Sequence, residues 1–574
     1  MSDFWTSVQL DGNYIYHRGV AKGKRFKHKI EYKPALYYPS NKVGAWRTIE
    51  GIPLEERRFA NIWEARAFAK KYADVENFKV YGNQRYQYAF IGETYPGVTE
   101  FDTSLIKTAI IDIEVDSSDG FPDPAIADKV ITAITLHVND KFTALGCKEW
   151  QPSEGSDIEY FHCDGELDLL TKFIGLWEES SPDIVTGWNI NLFDIPYLVN
   201  RITKLMGAAS AYHLSPWNKI TARTVAFGNR EFIAYDIMGV AILDYLELYK
   251  QAAKWGSVKN QESYALDHIA EVEIEEHKLD YRAQGYPTLN DLYNRNFSLY
   301  MEYNIHDVNL VHKIDNKLHL IDLALTLAYM NKVNFDDVFS QGRMWDAILY
   351  NRLHLYNVAI PPSKDSIKRV QFEGAYVKEP APGRYRWLAS FDLTSLYPHL
   401  IMMYNMSPET LVQPDDYDDD VRSWLAENGS SINVENMLNQ KVDLDWLKAK
   451  NLTMTPNGQF FHCGRPGFLA QCMEDMYAAR AKYKKQELDY SKLVEASLVK
   501  VERTKYQHLS ARYKAIQTAI KITLNSCYGS LGSPYFRYFD VRIAEAVTLS
   551  GQLSIRWVQK AINEYLNKVL KTTG

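Results

Sequence analysis

Residues 387–399, Trp-Leu-Ala-Ser-Phe-Asp-Leu-Thr-Ser-Leu-Tyr-Pro-His, restrict the fold more than any other stretch of the chain. Trp387 to Leu393 is mostly apolar and predicts a buried strand. Asp392 falls at its end, and the chain then turns, with Pro398 limiting the conformations open to Tyr397. A carboxylate at a strand tip, beside exposed backbone groups, suits a hard cation such as Mg²⁺. For Asp392 alone, a polar turn after a strand is the commoner meaning. The whole heptapeptide Asp392 to Pro398 is far more specific.

Other stretches add carboxylates in regular settings. Lys107 to Val115 predicts a strand, and its alternation puts Asp112 and Glu114 on one face. Two carboxylates about 7 Å apart on a buried strand repel unless a cation lies between them. Asn189, Phe193 and Asp194 follow in Thr-Gly-Trp-Asn-Ile-Asn-Leu-Phe-Asp-Ile-Pro. Leu299 to Leu318 has helical spacing, with Tyr303 and Asp307 one turn apart on the same side. Residues 468–528 predict two long helices with a turn near 489–497, and 541–570 one more. Residues 470–530 hold 11 Lys+Arg against 6 Asp+Glu, in a chain of net charge −7. A charged helical hairpin with a solvated face would show the same excess. Spacing says more: Arg480 and Lys484 share one helical face, as do Lys521, Asn525 and Tyr528.

In chain order, Asp-x-Glu, Asn-x3-Phe-Asp and Tyr-x3-Asp resemble the three motifs of DnaQ-like 3′–5′ exonucleases. Asp392 to Pro398 resembles motif A of the family B DNA polymerases, and Lys521 to Gly529 resembles their motif B. Phe372 to Tyr376 is similar to the family's template-contacting Gly-Gly/Ala motif, through Gly374 and Ala375. The N-terminal segment, through Glu31-Tyr-Lys-Pro-Ala-Leu36, resembles that of myophage replicative polymerases.

The resemblance implies an RNase H-like exonuclease domain with Asp112, Glu114, Asp194 and Asp307 as ligands of two Mg²⁺ ions, Mn²⁺ being a substitute. Tyr303 would orient the attacking water, and Asn189 and Phe193 would hold the single-stranded end. At the polymerase site it implies Asp392 and the Leu393 carbonyl on Mg²⁺. Arg480, Lys484, Lys521 and Asn525 would hold the dNTP triphosphate, with Ser395, Leu396 and Tyr397 along the nucleotide. Tyr397 would exclude a 2′-hydroxyl, Tyr528 would pack near the nascent base pair, and Gly529 would face DNA.

The implied organisation is α/β and α+β multidomain. It has an N-terminal domain at 1–106, with 320–363 returning to it, and the exonuclease at 107–319. A first palm part at 364–466, helical fingers at 467–533 and a second palm part at 534–574 follow. A length of 574 residues requires several domains, and 46% hydrophobic with 24% charged residues is ordinary globular composition. The start has no signal-peptide pattern, and no apolar run reaches membrane-spanning length. The five cysteines are scattered, which reads as free thiols. The acidic run 415–420 reads as a solvated loop, and the basic stretch Lys22 to Lys29 as a hairpin before a nucleic-acid site.

Asp-Thr-Asp, the family's motif C, is absent from the sequence. One carboxylate cannot fix two metals. The expectation is therefore the N-terminal subunit of a split phage polymerase, acting in the infected host's cytoplasm. A C-terminal polypeptide would bring motif C, the thumb and the sliding-clamp contact to primer-template DNA. An interrupted reading frame is the other origin. The alternatives are a stand-alone exonuclease, or a nucleic-acid-binding module acting on its own mRNA.

Overall fold

Two units make up the fold in the computed structural model, which describes residues 3–571 except 43, 77, 228–229, 364–370 and 386–387. Trp387, the expected domain boundary at 364 and residues 572–574 of the expected terminal turn lie outside the described residues. One unit comprises Met1–Lys33, Ala60–Trp63 and Arg85–Phe339. The other comprises Pro34–Phe59, Glu64–Gln84 and Ser340–Gly574, so the 1–106 segment contributes to both.

In the first unit, β1 (Phe4–Asp11), β2 (Tyr14–Ala21) and β3 (Lys24–Glu31) form an antiparallel meander. The basic stretch is the β2–β3 hairpin. Its Arg25 bonds Asp183 through both terminal nitrogens, and Arg18 Nη2 lies 3.3 Å from the same carboxylate. Trp5 Nε1 donates to the Val333 carbonyl at 3.2 Å, and the Asn334 amide bonds both the N–H and C=O of Val8. These contacts hold β1 against residues 333–334.

A six-stranded sheet follows, built from β4 (Thr108–Val115), β5 (Ile131–Val138), β6 (Lys141–Gly146), β7 (Ile158–His162) and β8 (Ile184–Thr186). An antiparallel ribbon, β9 (Ile220–Phe227) with β10 (Arg230–Ile237), precedes the sixth strand, β11 (Ala241–Ile242). The sheet order is β7-β6-β5-β4-β8-β11. β4, β5 and β6 run antiparallel, while β8 and β11 lie parallel to β4. Alternation along β4 sends Ile111, Ile113 and Val115 into one core. That core also takes Leu169 and Phe173 of α1 (Glu166–Ser180) and Ile195 and Leu198 of α2 (Asp194–Met206). The helices α3 (Tyr245–Lys254) and α4 (Leu266–Ile274) come next in the chain. The opposite sheet face packs on α5 (Phe297–Leu318) through Ala133, Ala144, Tyr300, Met301 and Ile305. α6 (Leu320–Asn331) follows after a left-handed His319.

In the second unit, Ala35–Pro39, Pro53–Arg58 and Trp46–Arg47 form a small antiparallel sheet. α7 (Gln341–Leu355) carries buried Trp345, whose Nε1 donates to Thr523 O at 3.1 Å and Ser526 Oγ at 3.0 Å. α8 (Leu396–Met403) is short and takes Pro398 in its first turn, where a missing N–H costs nothing. The two expected long helices are α9 (Phe468–Ala496) and α10 (Lys500–Leu531), and the last is α11 (Val541–Leu570). The hairpin turn lies at 497–499, overlapping the expected range of 489–497 only at its last residue. α9 and α10 run antiparallel, with Tyr483 stacked on Tyr513 at 6.1 Å and Tyr490 on Tyr513 at 5.5 Å.

Two local expectations fail. Leu388 to Leu393 lies in no strand, and Leu388 is 89% exposed. An apolar run becomes a buried strand only when a neighbour pairs its N–H and C=O groups. Among the described residues, no strand pairs with it. The acidic run is not a simple loop: Asp418 caps the helix Asp419–Asn428 by accepting from Val421 N, and Lys450 bridges Asp418 and Asp420.

Candidate active site

Asp112 and Glu114 point from β4 toward α5, as the alternation requires. Asp112, Glu114 and Asp307 bring ligand oxygens within 4.8 Å of one another. Asp112 is fixed by a relay. Thr135 Oγ1, its cross-strand neighbour, donates to Asn304 Oδ1 at 2.5 Å, and Asn304 Nδ2 donates to Asp112 Oδ2 at 2.6 Å. Asp194 joins from the start of α2. β8 ends at Thr186, opposite Ile110, so β4 continues beyond it. There the N–H of Ile113 donates to Asp194 Oδ1 at 3.1 Å. All four predicted carboxylates thus surround the end of β4.

The loop into α2 passes close to β4. A Cβ on Gly187 would meet the Ile111 carbonyl at 2.4 Å, so only glycine fits. Asn189 takes a left-handed φ of 66°. Buried Asp244 holds the loop, accepting from Asn189 N at 3.1 Å and Asn191 N at 2.9 Å while capping α3. Phe193 lies 5.5 Å from Phe121, which is 86% exposed.

Lys278 completes the arrangement. Its Nζ is 2.6 Å from Asp307 Oδ2 and 4.8 Å from the Tyr303 ring centre. Asp307 Oδ1 is buried without a hydrogen-bond partner. Burial, then the neighbouring negative charges, pushes Asp112 well above the carboxylate range. Burial, with Asp307 next, lifts Glu114 to about 8. Burial lifts Asp194 to about 7 against the bonds it accepts. Burial also raises Asp307, with Lys278 opposing. One ammonium faces four carboxylates. Clustered oxygen donors, one buried and unpartnered, fit a divalent cation.

Lys278, Asn304, Asp244 and Phe121 escaped the sequence reading. Lys278 and Asp244 lie in no recognised motif, and an exposed phenylalanine announces nothing by spacing. Asn304 follows Tyr303 directly, and only the relay reveals its purpose.

The second set of predicted residues lies in the other unit and is less assembled. Asp392 and Leu393 are exposed on the unpaired segment. Ser395, at a left-handed φ of 54°, precedes α8, whose first residues are Leu396 and Tyr397. The Tyr397 ring lies 4.7 Å from that of Tyr528 on α10. Gly551 of α11 makes room for it, since a Cβ there would meet Tyr397 Cε1 at 2.9 Å. Gly529 is similarly close to Gln341 Oε1. Arg480 is half-exposed and Lys484 exposed on α9; Lys521 is half-exposed and Asn525 exposed on α10. Gly374 and Ala375 lie in an exposed segment bound to α11, where Gln552 Nε2 donates to the Gly374 carbonyl at 2.8 Å. Among the described residues, no metal-ligating group includes Asp392.

Comparison with known proteins identifies the family. Residues 96–269 match the model of the DNA polymerase family B exonuclease domain, and residues 334–573 match that of DNA polymerase family B. The DNA-directed DNA polymerase of Escherichia phage RB69 is 33% identical over 648 aligned positions, covering 100% of this chain and 68% of the relative. That of Enterobacteria phage T4 is 31% identical over 629, with the same coverage. The DNA polymerase delta catalytic subunit of Caenorhabditis elegans is 25% identical over 485, covering 81% of this chain and 40% of the relative. The chain therefore belongs to the family B DNA polymerases, as a DNA-directed DNA polymerase with an exonuclease domain.

Proposed function

We propose that the chain is a phage replicative polymerase subunit with a self-sufficient 3′–5′ exonuclease centre and one half of a polymerising centre. The observation that carries this reading is the contrast between the two: four carboxylates gathered at β4, and a solitary Asp392. The β4–β6 meander with parallel β8 and β11 supports an RNase H-like exonuclease domain at 107–319. The remaining divisions at 1–106, 364–466, 467–533 and 534–574 stay as expected from the motifs.

Asp112, Glu114, Asp194 and Asp307 would hold two Mg²⁺ ions, or Mn²⁺ in their place. Bound there, such a pair activates water and neutralises charge at phosphorus. The protein's own part is positioning. Asn304 fixes the Asp112 carboxylate, and Lys278 pairs with Asp307 against the effect of burial and orients the Tyr303 hydroxyl toward the attacking water. Phe193, with exposed Phe121 beside it, offers aromatic faces for the bases of a frayed single strand. Asn189, on the loop held by Asp244, bonds the same strand.

At the second site, Asp392 and the Leu393 carbonyl supply oxygen ligands, and Arg480, Lys484, Lys521 and Asn525 take the triphosphate. Tyr397, braced by Gly551 and Tyr528, lies against the sugar together with Ser395 and Leu396. Gly374, Ala375 and Gly529 face the template duplex. The exposed apolar run Leu388 to Leu393 fits a strand partner that also brings the missing aspartates. We assign that partner to a C-terminal polypeptide, which also carries the thumb and sliding-clamp contact. The substrates are primer-template DNA and dNTPs in the host cytoplasm. Primer extension with and without a polypeptide carrying Asp-Thr-Asp tests this. Extension only in the mixture supports it, and extension by neither leaves the exonuclease as the sole activity.

A further inference from the structure

A second cluster of metal-ligating side chains lies on the α5 face of the same sheet, outside the carboxylate site. His137 near the end of β5, Asp140 in the β5–β6 turn and His312 on α5 bring ligand atoms within 4.8 Å of one another. The two imidazole rings are 4.2 Å apart, centre to centre. His137 is buried. The Asp140 carboxylate has no ion-pair partner among the described residues, though it sits on the exposed turn nearest the rings. Asn139 and Asp140 both take left-handed φ values of 52° and 59°, which fixes a tight turn at this point.

We propose that His137, Asp140 and His312 bind a divalent first-row transition ion such as Zn²⁺, which clamps α5 to the β5–β6 turn. Two imidazoles and one carboxylate make a borderline-soft donor set that favours Zn²⁺ over Mg²⁺. Ligand atoms on a tetrahedral Zn²⁺, with bonds of 2.0–2.2 Å, lie about 3.3 Å apart. Rotation of the exposed Asp140 side chain and a small tilt of His312 close the difference. Burial and the mutual proximity of the rings hold His137 down to about 4, and burial also lowers His312. Both shifts favour the neutral imidazole that ligation requires. The outer contacts also suit a bound ion. His312 Nε2 lies 2.9 Å from the Asn316 amide on the next turn. With that amide turned over, its oxygen accepts Nε2–H and leaves Nδ1 to the metal, the usual arrangement behind a ligating histidine.

The location gives such an ion a purpose. His137 is two residues along β5 from Thr135, which starts the relay to Asp112. His312 is five residues along α5 from Asp307, roughly 7.5 Å of helix. A clamp here fixes the register of α5 against the sheet, and with it the separation of Asp112 and Asp307. It also closes a loop of 175 residues between two ligands that the chain order leaves far apart.

The test uses the full chain, stripped of metal by chelator, with Asp112→Ala/Glu114→Ala to silence the carboxylate site. Co²⁺ titration is expected to give visible absorption bands of nitrogen-oxygen coordination, saturating at one equivalent. Zn²⁺ at 100 times its dissociation constant should raise the thermal midpoint by roughly 2 °C. Asp140→Asn, on an exposed turn where folding is not at stake, should weaken Co²⁺ binding about tenfold, and His312→Gln should abolish the bands. Absence of bands in the Asp112→Ala/Glu114→Ala protein, or bands unchanged in His312→Gln, would overturn the proposal. The pair would then be two packed neutral histidines against Phe142.

Discussion

Lys278 and Asp307 meet at 2.6 Å inside a ring of buried carboxylates, and the other Asp307 oxygen is left without a partner. This ammonium offsets only part of the negative charge, so the site is built to receive more. Replacing Lys278 by methionine keeps the length and removes the charge. The exonuclease rate should fall about 10- to 100-fold, the usual cost of losing a group behind a ligand. Single-turnover digestion of a 3′-labelled strand measures it, and Lys278→Arg should recover part of the loss.

The carboxylates also predict a pH dependence of the metal-free protein. Glu114 at about 8 and Asp194 at about 7 hold protons in the folded state that the unfolded chain gives up near pH 4. The folded state binds more protons across that window, so stability falls as pH rises from about 4 to 8. Buried His17, held down to about 4 by burial first, works the opposite way between about 4 and 6.5. Above pH 6.5 only the carboxylate slope remains between these groups. Thermal melts in chelator should show the midpoint falling from pH 6.5 to 8, with Mg²⁺ restoring it. In Asp112→Asn/Glu114→Gln the fall above pH 7 should be largely gone, leaving the part due to Asp194 below it.

Gly551 and Tyr397 form a tight contact in the other unit. Gly551→Ala pushes the new methyl into the ring, at a cost of roughly 1–3 kcal/mol of stability. In a Tyr397→Ala background the same change should cost far less, because the clash is gone. A four-protein cycle of denaturation midpoints reads the coupling.

Arg537 and Asp346 pair deep in that unit, with Nε to Oδ1 at 2.7 Å and Nη2 to Oδ2 at 3.0 Å. Both side chains are under a tenth exposed, and Arg537 also donates to the Pro361 carbonyl. Arg537→Leu strands a buried carboxylate and should destabilise by about 3–5 kcal/mol. Arg537→Leu/Asp346→Leu should regain most of it. Urea denaturation distinguishes the two outcomes.

The elements of the candidate site were legible where a local period placed the side chains. Alternation put Asp112 and Glu114 on one face of β4, and a four-residue step put Tyr303 and Asp307 on one face of α5. The helices at 468–496, 500–531 and 541–570 were equally visible, because long amphipathic runs without proline have few other options. Leu388 to Leu393 misled for a physical reason: an apolar run records a demand for a partner strand and cannot supply one. Lys278 was invisible because its meaning comes from the fold, which folds the segment after α4 back onto α5. Asp418 misled because an acidic run and a helix cap have the same composition.

The most direct measurement follows both ends of a primer at once. The purified chain is mixed with a 5′-labelled primer on a template, all four dNTPs and Mg²⁺, and the products are resolved by length. The account predicts shortening from the 3′ end without any lengthening, and intact primer when Asp112→Ala/Glu114→Ala replaces the natural chain. Primers lengthened by this chain alone, or shortened equally by the double variant, would contradict it.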